Sequence, residues 1–182
     1  MSILYHDGNR QLQDRFDSRR ISDRLEEKLT RTASTADAQG RPDCSFKGGM
    51  PGFVRVTGAS ELAFPDYDGN GMFKSLGNLI VNPNIGLLFI SLHDKPKRLR
   101  VNGSATVSDA DALLGETVGA QLIVRVQARA IFPNCPRYIP NMQMTGPSIY
   151  TPQPKCEPPE PAWKTFDSFK DAVHPRAPTF RG

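Results

Sequence analysis

The sequence has few of the residues that build metal sites and disulfide frameworks. Its three cysteines, Cys44, Cys135 and Cys156, show no CxxC spacing, and its three histidines are widely separated. Neither a structural zinc site nor a set of disulfides fits this pattern. We therefore expect no bound metal and a reducing compartment, with Cys135 an ordinary loop cysteine because no histidine or helix start stands near it.

Long hydrophobic runs are also missing. No apolar stretch approaches the ~20 residues that a helix needs to span a bilayer. The first ten residues, MSILYHDGNR, contain no hydrophobic core of the kind found in secretion signals. These absences predict a cytoplasmic protein that has no membrane partner.

The familiar catalytic motifs do not occur. The chain has no G-x-S-x-G, no Walker A loop, no HExxH and no G-x-G-x-x-G. This argues against serine hydrolases of the nucleophile-elbow type, P-loop NTPases, zinc proteases and dinucleotide-binding folds. No residue can be assigned a catalytic role on motif alone.

Size and charge set further bounds. With 182 residues the chain is long enough for one domain that has a real core. Lys and Arg number 23 against 19 Asp and Glu, which gives a net charge of +4 and a pI of 9.1. The basic residues are dispersed and have no aromatic platform between them, so no nucleic-acid partner is expected.

Apolar spacing and proline content divide the chain into three parts. Apolar residues four apart predict a helical segment over residues 1–30, and short alternating segments predict strands over residues 31–140. The chain contains 16 prolines, and their density predicts an irregular tail over residues 141–182. Three aromatic residues are expected to hold this tail against the body or a second subunit: Trp163, Phe166 and Phe169.

Alternation of apolar and polar residues predicts antiparallel strands. Residues 98–107 alternate cleanly, which puts Arg98 and Arg100 on one face about 7 Å apart. Gly103 within this strand indicates a bulge or a close backbone approach. Residues 85–90 are apolar on both faces and predict a fully buried strand. Further strands are expected over residues 33–36 and 43–46 (a hairpin), 53–56, 61–65 and 121–131. The fold class is therefore mainly β, an antiparallel β-barrel with a few helices.

One strand–loop–helix unit has the features of a phosphate site. The loop at residues 66–71 is rich in Gly, Asn and Asp, and a helix is predicted over residues 72–80. The start of such a helix offers unpaired N–H groups and a positive dipole end, and Lys74 and Ser75 would add side-chain donors. A plain loop capped by a helix explains the same local features equally well.

A second polar cluster combines Ser45 and Lys47 with the polar face that carries Arg98 and Arg100. An arginine that points into a small barrel needs a partner, and a phosphate or an electron-rich ring would serve. The alternative is that this face points to water, and alternation alone favours that alternative.

Many of these segments resemble a subgroup of the pyridoxamine 5′-phosphate oxidase-like flavoproteins. The resemblance covers roughly residues 10 to 140 and is most specific over residues 62–78. The resembling segments are residues 35–45, 47–49, 51–56, 62–78, 82–83, 86–90, 98–103 and 134–140.

The resemblance implies a split β-barrel that binds FMN at a homodimer interface. Lys74 and Ser75 match the Arg-Lys pair that holds the FMN phosphate in the wider family, so Ser75 replaces a basic residue and Lys47 or Arg98 would have to supply charge. Arg98 also stands where the family often has a flavin-contacting glutamine. The full set of cofactor-binding residues implied is Ser45, Lys47, Asp66, Tyr67, Asn70, Gly71, Met72, Lys74, Ser75, Asn78, Arg98 and Arg100.

The implied function is that of an FMN-dependent oxidoreductase acting on an unidentified small molecule. Residues 163–182 contain no clear counterpart of the arginine segment with which the oxidase proper holds pyridoxal phosphate, so vitamin B6 oxidation is not expected. The alternative is a flavin-binding or deazaflavin-binding protein for storage or sensing, without turnover. Related barrels also bind haem, which three histidines support weakly.

Overall fold

The computed structural model describes residues 30–92, 96–156 and 158–168. The helical segment predicted over residues 1–30 lies outside them except for Thr30, and so does Phe169. No helix in these ranges has the length and apolar character needed to cross a membrane. The elements are β1 (Thr30–Ala36), β2 (Pro42–Lys47), β3 (Arg55–Gly58), β4 (Glu61–Tyr67), α1 (Lys74–Val81), β5 (Asn84–Ser91), β6 (Lys97–Ser108), a 3₁₀ turn (Ala112–Glu116), β7 (Ala120–Asn134) and a second 3₁₀ turn (Ala162–Thr165).

The seven strands form one antiparallel sheet in the order β2-β1-β5-β6-β7-β4-β3. Hydrophobic side chains from β1 near one end and β4 near the other end belong to the same buried cluster, which includes Ala33 and Phe64. The Lys47 Nζ of β2 also lies 3.4 Å from the Asp66 Oδ1 of β4. Strands at opposite ends of the sheet can meet only if the sheet curls round on itself. The fold is therefore the mainly β, antiparallel split barrel that the sequence predicts.

The strand register separates an inner face of the sheet from an outer face. Directly paired residues of an antiparallel sheet point to the same side. One such row contains Ala33, Leu87 and Val101, all of them buried, and Ser45 pairs with Ala33 in that row. The adjacent row contains Phe46, Thr32, Leu88, Arg100 and Phe132, of which Phe46 and Arg100 are exposed.

The prediction that residues 85–90 are buried on both faces is wrong for the isolated chain. Ile85, Leu87 and Phe89 are buried, whereas Leu88 and Ile90 on the outer face are half-buried. Within the described residues the single α-helix packs against β1, β2 and β6 and so covers only part of the sheet. Apolar side chains on the outer face of β5 are thus left partly open to water.

Two element boundaries differ from the sequence prediction. The third strand is Arg55–Gly58 rather than residues 53–56, and Phe53 and Val54 instead pack against the core beside it. The helix begins at Lys74 rather than at Met72 because Phe73 adopts a left-handed conformation, with φ of 45°. An apolar residue in that conformation cannot continue the helix backwards.

Gly103 confirms both features predicted for it. The register of β6 against β7 shifts between Asn102 and Gly103, which is a β-bulge. A Cβ atom at Gly103 would lie 2.3 Å from the Gln127 carbonyl oxygen. Only glycine lets the two backbones come this close.

The C-terminal tail touches the barrel at several points. The Met142 amide donates to the Leu92 carbonyl, and Pro152 packs against Gly119. The Lys164 ammonium lies 2.7 Å from Asp68, and Lys164 is 7% exposed. Of the aromatic residues expected to hold the tail, Trp163 is half-buried and Phe166 is 55% exposed.

Candidate functional site

The start of α1 is open. The Asn70 side chain accepts a hydrogen bond from the Met72 amide at 3.0 Å, which closes a small turn before the helix. Gly71 has φ of +71° and no atom within 4 Å of where a Cβ would stand. Phe73 precedes the helix and gives it no side-chain cap. The first amide groups of α1 are therefore without the side-chain acceptor that usually satisfies them.

Lys74 adds positive charge at the same place. Its side chain is exposed, and it makes no ion pair with any residue in the described ranges. The first turn of α1 contains no acidic residue. Lys74, the unpaired amides and the positive end of the helix dipole together favour an anion here.

Ser75 is buried and belongs to a short chain of hydrogen bonds beneath the helix start. Its hydroxyl donates to the Asp43 carboxylate at 2.9 Å and lies 3.0 Å from the Ser45 hydroxyl. One turn later, the Asn78 amide donates to the Thr35 hydroxyl at 3.1 Å. These contacts hold α1 against β1 and β2. They also bring the Asp43 carboxylate close to the candidate anion site.

Lys47 and Asp66 meet where the barrel closes. The ion pair is 80% or more buried on both sides, with side-chain exposures of 20% and 13%. Burial raises the pKa of the Asp66 carboxyl above its usual range, and Lys47 opposes this rise without cancelling it. Lys47 is therefore occupied by a partner within the chain.

Tyr67 points away from Asp66. The pairing of β4 with β7 shifts between these two residues, and Tyr67 packs beside Ala63 and Ile123 in a second, smaller cluster. Burial raises the pKa of its phenol. Asp66 and Tyr67 therefore face different surroundings despite being neighbours in sequence.

Arg98 and Arg100 lie on the outer face of β6. Arg100 pairs with Phe132 and Arg98 with Asn134 on β7. The Arg98 guanidinium donates to the Cys135 carbonyl. Its Nε is buried and has no hydrogen-bond partner among the described residues. An orphaned donor of this kind is costly unless a further acceptor approaches it.

Within one chain, the twelve residues predicted for the site fall into separate groups. One group lies on β2, at the end of β4, in the loop that follows β4 and on α1. It comprises Ser45, Lys47, Asp66, Asn70, Gly71, Met72, Lys74, Ser75 and Asn78. The strand pairing leaves Arg98 and Arg100 on the opposite face of the sheet. Tyr67 lies in the second, smaller cluster with Ala63 and Ile123.

Three residues at this site were not singled out from the sequence. Asp43 forms part of the hydrogen-bond chain with Ser75, while Asp68 and Lys164 join the loop before α1 to the tail. Asp43 lies two residues before Ser45 on the same face of a strand, so alternation contained a signal for it. Nothing local marks Lys164, because its contact spans 96 residues of sequence.

The donor set at the start of α1 fits a phosphate group. It offers unpaired amides, an exposed lysine and an open space beside Gly71. The Asp43 carboxylate, which accepts a hydrogen bond from Ser75, is an unfavourable neighbour for an anion. No group of three or more His, Cys, Asp or Glu residues suited to a metal ion occurs in the described ranges.

The fold and the matching family model together show which family the chain belongs to. The sheet order and the curled barrel define a split-barrel protein, and the start of its one described α-helix offers hydrogen-bond donors without a side-chain acceptor. The family model for pyridoxamine 5′-phosphate oxidase matches residues 18–145, which is well over half of the chain. The protein belongs to this family. Among curated proteins, no sequence matches it.

Several solved structures are similar to this chain at low identity. An FMN-binding protein from Syntrophomonas wolfei subsp. wolfei is 12% identical, with a TM-score of 0.52 over 69% of this chain and 94% of its own. A point variant of HupZ from Group A Streptococcus is 17% identical, with a TM-score of 0.49 over 64% and 98%. HutZ, the heme storage protein from Vibrio cholerae, is 22% identical, with a TM-score of 0.46 over 63% and 92%. At 12% identity, the likeness to the Syntrophomonas wolfei protein concerns the fold alone.

Proposed function

We propose that the protein binds FMN at the start of α1 and is an FMN-dependent oxidoreductase acting on a small molecule. The observation that carries the proposal is the open helix start in a chain of this family. Phe73 supplies no cap, Lys74 is exposed, and the space at Gly71 is clear. A phosphate would satisfy the amides that the chain itself leaves without a side-chain acceptor.

The roles of the residues follow from their positions. Lys74 and the first amides of α1 would hold the phosphate, and the chain of Ser45, Ser75 and Asp43 would set the position of the helix. Asp66 lies at the end of β4 with its carboxylate neutralised by Lys47. When bound, a flavin supplies the hydride or electron chemistry, and the protein supplies position and electrostatics.

A non-catalytic flavin-binding or deazaflavin-binding role is the second candidate. One observation favours it: the carboxyl and phenol groups at the end of β4, which could act as an acid or a base, already have contacts within the chain. Asp66 is paired with Lys47, and the Tyr67 ring packs in the second, smaller cluster with Ala63 and Ile123. Substrate turnover would then need an acid or base from elsewhere or none at all.

The cofactor is tested by the absorption spectrum of the freshly purified protein, before and after heat release of any ligand. We expect a flavin spectrum and FMN in the supernatant, identified by mass. Oxidation of reduced nicotinamides by the loaded protein then separates the oxidoreductase from the storage role. A colourless protein that also fails to take up added FMN contradicts the proposal, and a released deazaflavin replaces FMN as the cofactor.

Lys74→Gln tests the phosphate site directly. Removing a charge from a phosphate contact should weaken FMN binding by about tenfold or more, which corresponds to ~1.4 kcal/mol. Flavin fluorescence titration measures the dissociation constant. The matched control is Lys155→Gln, an exposed lysine that makes no ion pair within the described residues. Equal affinities for both variants would place the phosphate elsewhere.

A further inference from the structure

The loop that leads into α1 is exposed along its whole length. Every residue from Asp68 to Lys74 is exposed, and the loop includes Gly69 and Gly71. Backbone of this kind has large conformational freedom, so fixing it for a ligand costs entropy. Within the loop, the Asn70 side chain bonds to Met72, which orders one turn and leaves the rest dependent on outside contacts.

The C-terminal tail supplies such a contact through a buried lysine. The side chain of Lys164 is 5% exposed, and its Nζ lies 2.7 Å from the Asp68 Oδ2 and 3.5 Å from the Glu160 Oε1. The same ammonium lies 5.9 Å from the centre of the Trp163 ring. Lysine is rarely buried this far, and here carboxylates meet its charge.

The tail also contacts the other side of the β4 end. A Cβ at Gly119 would lie 2.6 Å from Pro152 and 4.0 Å from the Tyr67 ring, so Pro152 packs tightly against the residue that precedes β7, next to the partner of Tyr67. Pro158, between these two contacts, is buried. Residues 141–151 are mostly exposed and include one backbone hydrogen bond to the barrel, from Met142 to Leu92. The Pro152 and Lys164 contacts attach the rest of the tail near the point where β4 passes into the loop.

We propose that Lys164 is a positioning residue for the cofactor site: its ion pair with Asp68 holds the loop from residue 68 to residue 73 in the conformation that leaves the start of α1 open. The inference rests on the proposed function, because the loop matters only if a ligand binds there. An anchored loop does not have to be ordered by the ligand, so the anchor raises affinity by preorganisation.

The test compares four full-length single variants and one double variant. Lys164→Met keeps the apolar stem and removes the ammonium, Lys164→Arg keeps the charge, and Asp68→Asn removes the partner; the double variant combines the first and the last. Lys155→Met, on the same tail but exposed, is the matched control. The two readouts are hydrogen exchange of the amides from residue 68 to residue 74 in flavin-free protein, and the FMN dissociation constant from fluorescence titration.

We expect Lys164→Met to raise exchange in this loop several-fold and to weaken FMN binding about tenfold. Asp68→Asn should do the same, and the double variant should be no weaker than either single variant, because both remove one contact. Lys164→Arg should recover most of the affinity. Lys155→Met should match the wild type in both readouts.

Three results would overturn the inference. Unchanged exchange in Lys164→Met means that the tail does not hold the loop. Raised exchange with unchanged FMN affinity in that variant means that the anchor does not serve the site. If wild-type protein takes up no FMN, the proposed function fails and the inference fails with it, whereas a wild type that binds FMN makes either of the first two results a failure of the inference alone.

Discussion

Asp43 is the residue whose chemistry sits least easily with a phosphate site. Its carboxylate accepts a hydrogen bond from the Ser75 hydroxyl under the start of α1. A negative charge there is stabilised by the helix dipole and competes with an external anion for the same potential. The Ser75 hydroxyl that bonds to this carboxylate adds no positive charge to the site.

Asp43→Asn should therefore strengthen FMN binding by about tenfold, equivalent to ~1.4 kcal/mol. The asparagine carbonyl can still accept from Ser75, so the helix position is kept. Riboflavin, which lacks the phosphate, should bind both proteins equally, as fluorescence titration can show. Asp109→Asn, an exposed position after β6, controls for the change in net charge. A parallel gain for riboflavin would refute the electrostatic explanation.

Asp66 gives a pH dependence of stability whose sign can be worked out. Its pKa is raised in the folded protein above the unfolded value of 3.8 because burial disfavours the carboxylate. The folded state then binds the proton more tightly, so the cost of Asp66 is present above the folded pKa and is relieved as the pH falls through it. Asp66→Asn does not titrate. The stability of this variant relative to wild type should thus be greater at about pH 7 than at about pH 4.

Urea unfolding of both proteins at the two pH values measures this difference. Asp109→Asn again serves as the control, since it changes the same group at an exposed position. A relative stability of Asp66→Asn that grows as the pH falls would contradict the assignment of the raised pKa to Asp66.

At the scale of the elements, the close pairing of β6 with β7 requires a glycine at position 103. Gly103→Ala would bring a methyl group to 2.3 Å from the Gln127 carbonyl oxygen. Because the obstacle is backbone, the two strands must separate, and we expect a loss of about 2–3 kcal/mol in the free energy of unfolding. Chemical denaturation measures the loss.

Gly86→Ala on the neighbouring strand is the matched control. Its new Cβ would meet the nearest atom, the Asn102 Oδ1, at an ordinary 3.5 Å, so its cost should be about 1 kcal/mol or less. Similar losses in the two variants would mean that general glycine effects, and not the close approach at the bulge, set the stability of this pair of strands.

The elements were predictable where local pattern decides them. The hairpin of β1 and β2, the alternation of β6 and the bulge at Gly103 all follow from residue spacing and glycine placement. The sequence predicts a start of α1 that is two residues too early, because Met72 and Leu76 have helical spacing. Spacing does not reveal that Phe73 adopts a left-handed conformation. The partial exposure of β5 was missed because an apolar strand does not reveal which face the rest of the chain covers.

At the scale of the whole molecule, we expect the outer face of the sheet to contact a second copy of the chain. Phe46 is 66% exposed, and Leu88 and Phe132 in the same row are half-buried. Exposed apolar patches of this kind mark interaction surfaces, and closed two-fold dimers are the commonest assembly. We expect light scattering to give a mass of twice 20.1 kDa.

Phe46→Arg should convert this dimer into a monomer, because it removes a large exposed apolar side chain and adds a second cation to a row that already contains Arg100. Val56→Arg, at a 54% exposed position on the opposite edge strand, should leave the mass unchanged. A wild-type protein that runs at the mass of one chain would rule out the dimer, and with it a flavin site shared between two subunits.

The order of residues was sufficient for the strand pattern, the hairpin, the bulge and the family, because each depends on neighbours within a few positions or on long matching segments. The tertiary structure alone determines how the sheet curls. It brought Lys47 to Asp66, placed Asp43 under Ser75 and sent Arg98 and Arg100 to the outer face. The Lys164–Asp68 contact was decided in the same way. The Lys47–Asp66 and Lys164–Asp68 pairs join residues far apart in sequence, and local periodicity does not predict which partner each residue meets.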